Sequence, residues 1–76
     1  MTSEQFMAEL AMVLNEDVAC LMAQTELAGL KGWDSMGMLG VVALLDSVRG
    51  RATDISDVQA CRTCRDVMDL GEMPAD

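Results

Sequence analysis

Residues 36–45, MGMLGVVALL, carry no charge, and charged residues flank them: Lys31 and Asp34 before, Asp46 and Arg49 after. A bilayer span takes about 20 apolar residues, so this run is too short to cross a membrane. At least one face of it has to be buried. That chain has 76 residues, and a domain of this size buries only about 60% of the surface its unfolded form exposes. One thin core shared by a few helices is what it can build. Apolar residues make up 51% of the sequence, enough for that core and against a disordered chain. No segment alternates apolar and polar residues as a strand does, and residues 1–76 read as a single all-α domain.

The helices can be placed from their end signals. Thr2 with Gln5 three residues on is a capping box, and Phe6, Leu10 and Val13 follow as one stripe with Met7 and Leu14 beside them. Asn15, Glu16 and Asp17 end that pattern. Residues 15–34 make a long connection whose Val18, Leu21, Met22, Leu27 and Leu30 pin it to the core, with Thr25 a local turn or cap. The second helix starts at Asp34 or Ser35, both good N-cap types. In it Leu39, Val42 and Leu45 face one way, flanked by Met38, Val41 and Val48. Gly50 suits its C-terminal cap and Arg49 the negative end of its dipole. Ser56 or Asp57 opens a short third helix or turn around Val58. Thr63 with Asp66 caps the last helix, which carries Val67, Met68 and Leu70. Residues 71–76, with Gly71 and Pro74, read as a frayed tail. The expected fold is a small antiparallel bundle of three main helices plus a short third helix or turn.

Charge and composition exclude several functions. The net charge of −8 repels nucleic-acid phosphates and favours basic protein partners. There is no histidine, so Ser-His and Cys-His catalysts are unavailable. Glu4 and Glu9 with no basic residue before Lys31 do not make a signal peptide. Cys20, Cys61 and Cys64 are an odd number of cysteines without secretory context, as in a cytoplasmic protein with reduced thiols. Cys61 and Cys64 form a C-x-x-C, but no strand-to-helix context and no further ligands accompany it, and Cys64 reads as a small buried apolar residue. A calcium loop started at Asp34 would put Met36 and Met38 at ligand positions, so no metal site is expected.

One hydroxyl stands out. Ser35, at the junction of the charged phrase and the uncharged helix, is either a plain cap or a point of attachment. A helix N-terminus favours an anion held on such an oxygen. From Thr25 to Met36 the chain reads TELAGLKGWDSM, which resembles the phosphopantetheine attachment region of acyl carrier proteins, where an Asp-Ser-Leu motif opens helix two. The resemblance spans nearly the whole chain: the first-helix stripe ending in Leu14, the loop leucines Leu27 and Leu30, VVALLD in helix two, and ISDVQACRTCRDVMDL near the end.

That resemblance implies a discrete, monomeric acyl carrier protein, not an enzyme, bearing 4′-phosphopantetheine on Ser35. Asp34 is the acid that helps a phosphopantetheinyl transferase and its metal-bound coenzyme A engage the site. Met36 replaces the usual leucine as an exposed partner contact, and Trp33 packs near the root of the arm. Plain capping for Asp34 and plain core filling for Trp33 are the alternatives. The chain departs from the family in two respects: the segment between helices two and four is shorter by about two residues, and the exposed face of helix two has Gly37, Gly40, Ala43 and Ser47 where carboxylates are usual. Partners are therefore expected to read it by shape and apolar contact through Met36, Gly37, Gly40 and Leu44. They would be the transferase, an acyl-loading ligase or acyltransferase, and downstream synthase or tailoring enzymes of a specialised polyketide, nonribosomal or hybrid pathway. The rival readings are a small acidic helical interaction module without a prosthetic group, and a thiol catalyst at Cys64.

Overall fold

The computed structural model describes residues 2–72. Four helices form in order: α1 (Ser3–Leu14), α2 (Ser35–Arg49), α3 (Ile55–Gln59) and α4 (Cys64–Leu70). Among the described residues there is no strand, only an isolated bridge between Glu26 and Thr63. No helix among them is long and apolar enough to cross a membrane.

The ends of the helices follow their local chemistry. At α1 the Gln5 N–H donates to Thr2 Oγ1 over 3.1 Å and the Thr2 N–H donates to Gln5 Oε1 over 2.9 Å, closing the capping box. The helix stops at Asn15 in the left-handed region, φ 56°, which asparagine tolerates. Gly50, φ 70°, does the same for α2. Helix α3 starts earlier than Ser56 or Asp57 because Asp54 is its cap, accepting from the Ser56 N–H over 3.0 Å. Thr63 and Asp66 box the start of α4 as expected.

The core is built from Phe6, Leu10 and Leu14 of α1, Val41 and Leu45 of α2, Val58 of α3, and Cys64 and Val67 of α4, with Leu27 of the connection. Two faces differ from the sequence expectation. On α1 Leu14, not Val13, completes the buried stripe. On α2 the inward line is Gly37, Val41 and Leu45, spaced by four, while Leu39 is 60% exposed and Val42 half-buried. The uncharged run has no polar residue to mark its outside. Its facing is fixed instead by glycine contacts.

Two of those contacts are to backbone and the third is to a side chain. A Cβ on Gly32 would overlap the Leu14 carbonyl, and one on Gly37 would overlap the Gly32 carbonyl. One turn on, a Cβ on Gly40 would stand 2.7 Å from Val13 Cγ1. The end of α1 thus lies beside the start of α2. At the other end, Gly71 is buried close to both Phe6 and Leu45, so α1 and α2 run antiparallel.

The connection 15–34 contains two single 3₁₀ turns, Val18–Cys20 and Leu27–Gly29. Leu21 and Leu27 are its buried anchors and Leu30 is half-buried, whereas Val18 and Met22 are exposed. Thr25 makes the expected local turn, its Oγ1 accepting from the Met22 N–H over 2.9 Å. Three backbone bonds tie the connection to the far end of the chain: Leu27 N–H to Arg62 O, 2.8 Å; Cys64 N–H to Thr25 O, 3.1 Å; Arg65 N–H to Ala23 O, 2.7 Å. The loose end expected from residue 71 does not begin there. Gly71 is buried and Glu72 pairs with Arg51 at 3.0 Å; the rest of that tail, Pro74 included, lies outside the described residues.

The glycine contacts can be tested in a pair. Gly32→Ala should destabilise the protein by about 1–3 kcal/mol in chemical denaturation, the usual cost of overpacking. Gly29, with nothing within 4 Å of an added Cβ, should accept alanine with no loss and up to about 1 kcal/mol of gain.

Candidate functional site

Asp34, not Ser35, caps α2. Its backbone is extended, φ −127° and ψ −173°, and its Oδ1 accepts from the Gly37 N–H over 2.8 Å. Ser35 is the first helical residue, is exposed, and its hydroxyl makes no hydrogen bond among the described residues. The plain-cap reading of Ser35 therefore gives way: the capping bond belongs to its neighbour. Met38 N–H bonds back to Asp34 O over 2.8 Å, and this leaves the N–H groups of Ser35 and Met36 without acceptors among the described residues.

The start of α4 is different. There the first two helical N–H groups, Cys64 and Arg65, are taken up by Thr25 and Ala23 carbonyls, and the third by Thr63 Oγ1. Both helix starts follow from the same need to satisfy orphan donors. At α2 the first two helical N–H groups stay open beside the unbonded Ser35 hydroxyl, at the positive end of a 15-residue helix.

The other sequence-expected site residues divide. Met36 is 81% exposed. Trp33 is half-buried, packed against the core, with its N–H on Leu30 O at 3.2 Å. Gly37 is buried and Gly40 abuts Val13, so the close approach that these glycines permit is to the chain's own α1 and loop, not to a partner. Leu44 is half-buried and packed on the core. Ala43, which the sequence placed on the exposed face, and Leu39, which was expected to face the same way as Val42 and Leu45, join Met36 on the exposed face of α2. Their signal was the spacing of four from Gly37 through Val41 to Leu45, which turns 39 and 43 outward. Asp46, the one acid of α2, is not offered on that face: its Oδ1 accepts from the Thr53 N–H over 2.6 Å.

Two grooves adjoin this end of α2. One, of about 490 Å³, runs between the end of α1 and the start of α2, past Val13, Asn15, Lys31, Asp34 and Met36. The other, of about 500 Å³, lies beyond Trp33 against Gln59, Cys61 and Arg62. Among the described residues no three His, Cys, Asp or Glu side chains are grouped to hold a metal ion. Comparison of the chain with protein-family models, curated proteins and solved structures gave no match.

The C-x-x-C falls in the core. Cys64 is fully buried and Cys61 nearly so, its Sγ donating to Asp57 O at 3.4 Å. Burial, helped by the nearby Asp66, Asp57 and Asp69 carboxylates, pushes the Cys61 thiol up to about 11, and burial alone raises Cys64. Both stay protonated at neutral pH, where a thiol is a poor nucleophile. Cys20 is exposed. Iodoacetamide at neutral pH should therefore label Cys20 first in the folded protein, and Cys61 and Cys64 only after denaturant is added. Fast labelling of Cys64 in the fold would return the thiol-catalyst reading to contention. The raised Cys61 value also links stability to pH. The thiol's contribution is complete below its ordinary value of 9.0 and fades as pH climbs through about 11.

Proposed function

We propose that this chain is an acyl carrier with 4′-phosphopantetheine attached to Ser35. The observation that carries the reading is the division of roles at the start of α2: Asp34 does the capping, and Ser35 keeps an exposed, unbonded hydroxyl next to two open backbone donors. A phosphodiester on that oxygen would meet the Ser35 and Met36 N–H groups and the positive helix end, so the donor set fits the group. The likeness of TELAGLKGWDSM to the family's attachment region supports the same choice.

The chain's own residues have limited tasks. Asp34 fixes the first turn, Gly37 seats that turn on Gly32, and Trp33 anchors the approach to the core. With no histidine in the sequence, the proton on Ser35 Oγ leaves to a base on a phosphopantetheinyl transferase as Oγ bonds to the pantetheine-side phosphorus of coenzyme A, whose pyrophosphate bond breaks to release adenosine 3′,5′-bisphosphate. Once attached, the arm supplies a terminal thiol that holds an acyl or aminoacyl group as a thioester. Loading by a ligase or acyltransferase, and use by synthases or tailoring enzymes of a specialised pathway, belong to the partners.

Those partners meet an uncharged face. Met36, Leu39 and Ala43 present apolar surface beside Ser35, and Asp46 is engaged with Thr53. Recognition here is by apolar contact, with the net charge of −8 acting only at long range. The same exposed face favours a second reading, a helical interaction module with no prosthetic group.

Incubation with coenzyme A and a broad-specificity transferase separates the two. Intact mass should rise by one phosphopantetheine in the wild type and remain unchanged in Ser35→Ala. No gain with an active transferase would leave the interaction module. Leu39→Glu should lower kcat/KM for loading about tenfold, equivalent to about 1.4 kcal/mol of transition-state binding, without moving the thermal midpoint.

A further inference from the structure

Two apolar residues of the connection lack the cover that the sequence expectation gave them. Val18 and Met22 are 49% and 57% exposed, while Leu21 and Leu27 take the buried places. Both line a groove of about 720 Å³, larger than either groove beside the start of α2, together with Met7 of α1, Met68 of α4, Leu21 and Ala23. None of residues 34–37 lines it, so its occupant is a matter separate from Ser35. We propose that this groove docks a basic amphipathic helix of a partner protein.

Charge selects the partner. Residues 1–30 supply every lining residue except Met68, and they hold five acids, Glu4, Glu9, Glu16, Asp17 and Glu26, with no lysine or arginine. Glu4 is itself on the wall. Arg65 is tied to the wall through Ala23 O, but its guanidinium is taken by Asp69 at 3.1 Å. Cations on a partner therefore meet uncompensated carboxylates around an apolar floor. The unbranched side chains of Met7, Met22 and Met68 adapt to apolar residues of different shapes. The occupant is a helix because no strand exists among the described residues to offer an edge for an extended segment, whereas a helix brings its backbone bonds with it. A second copy would set two acidic walls face to face. Nucleic acid and an anionic membrane are repelled in the same way.

A designed helix of about 14 residues, leucines on one face and lysines on the other, tests this by titration into protein labelled with 13C-methyl methionine. The Met7 and Met22 methyls should shift while Met12 and Met36 stay in place, and binding should weaken as salt is raised. The same peptide with glutamate for lysine should shift nothing. Met22→Lys should weaken binding about tenfold with no change in thermal midpoint, whereas Met12→Lys, the same charge change at a residue 76% exposed and outside the groove, should leave it nearly as it was. Equal losses in the two variants would mean that net charge alone attracts the peptide, and would overturn the groove. Shifts centred on Met36, equal shifts with the glutamate peptide, or no binding would overturn it too. Met22 shifts that grow with protein concentration in the absence of peptide would make the occupant a second copy instead.

Discussion

The end of α1 and the start of α2 meet with no side chain between them. Gly32 lies against the Leu14 carbonyl and Gly37 against the Gly32 carbonyl, and nothing larger than hydrogen fits at either place. This contact fixes the rotation of α2 about its axis, which sends Val41 and Leu45 into the core and Leu39 and Ala43 to the surface. It also fixes where α2 begins, and so where Asp34 and Ser35 stand. The helical glycines cost about 1 kcal/mol each in propensity relative to alanine. That cost is offset by a packing distance that no other residue allows.

Much of the chain's architecture is written in local signals. Thr2 with Gln5, Thr63 with Asp66, and Gly50 are short-range devices whose energy does not depend on the rest of the fold, and they stand where the sequence indicates. The facing of α2 was not legible in the same way. A run with no polar residue gives no outside, and a glycine gives no sign of which neighbour needs its missing side chain. The 3₁₀ turns of the connection were hidden for another reason. The stretch from Ala23 to Leu27 is tied to Arg62, Cys64 and Arg65, more than thirty residues away in sequence, and no local pattern carries that information; the first turn has a local cap, Asp17, which accepts from the Ala19 N–H. Asp54 was overlooked because Ser56 and Asp57 are equally good caps by type. At the candidate site, Ser35 and Asp34 could be picked out from the sequence but not told apart as cap and hydroxyl, since both residue types cap well.

Net charge and local charge are separated in this protein. Acids dominate the chain, yet the face of α2 beside Ser35 carries none, and its one carboxylate, Asp46, is spent on the turn after the helix. On the carrier reading, a basic partner approaching Ser35 would be drawn by a general negative field and would then touch methionine, leucine and alanine. For the carrier reading this means that attraction and fit are supplied by different parts of the surface.

Because Asp34 holds the first turn and Ser35 holds nothing, the serine oxygen is thermodynamically idle in the fold. A group added to it breaks no internal bond, and a group removed from it leaves no gap.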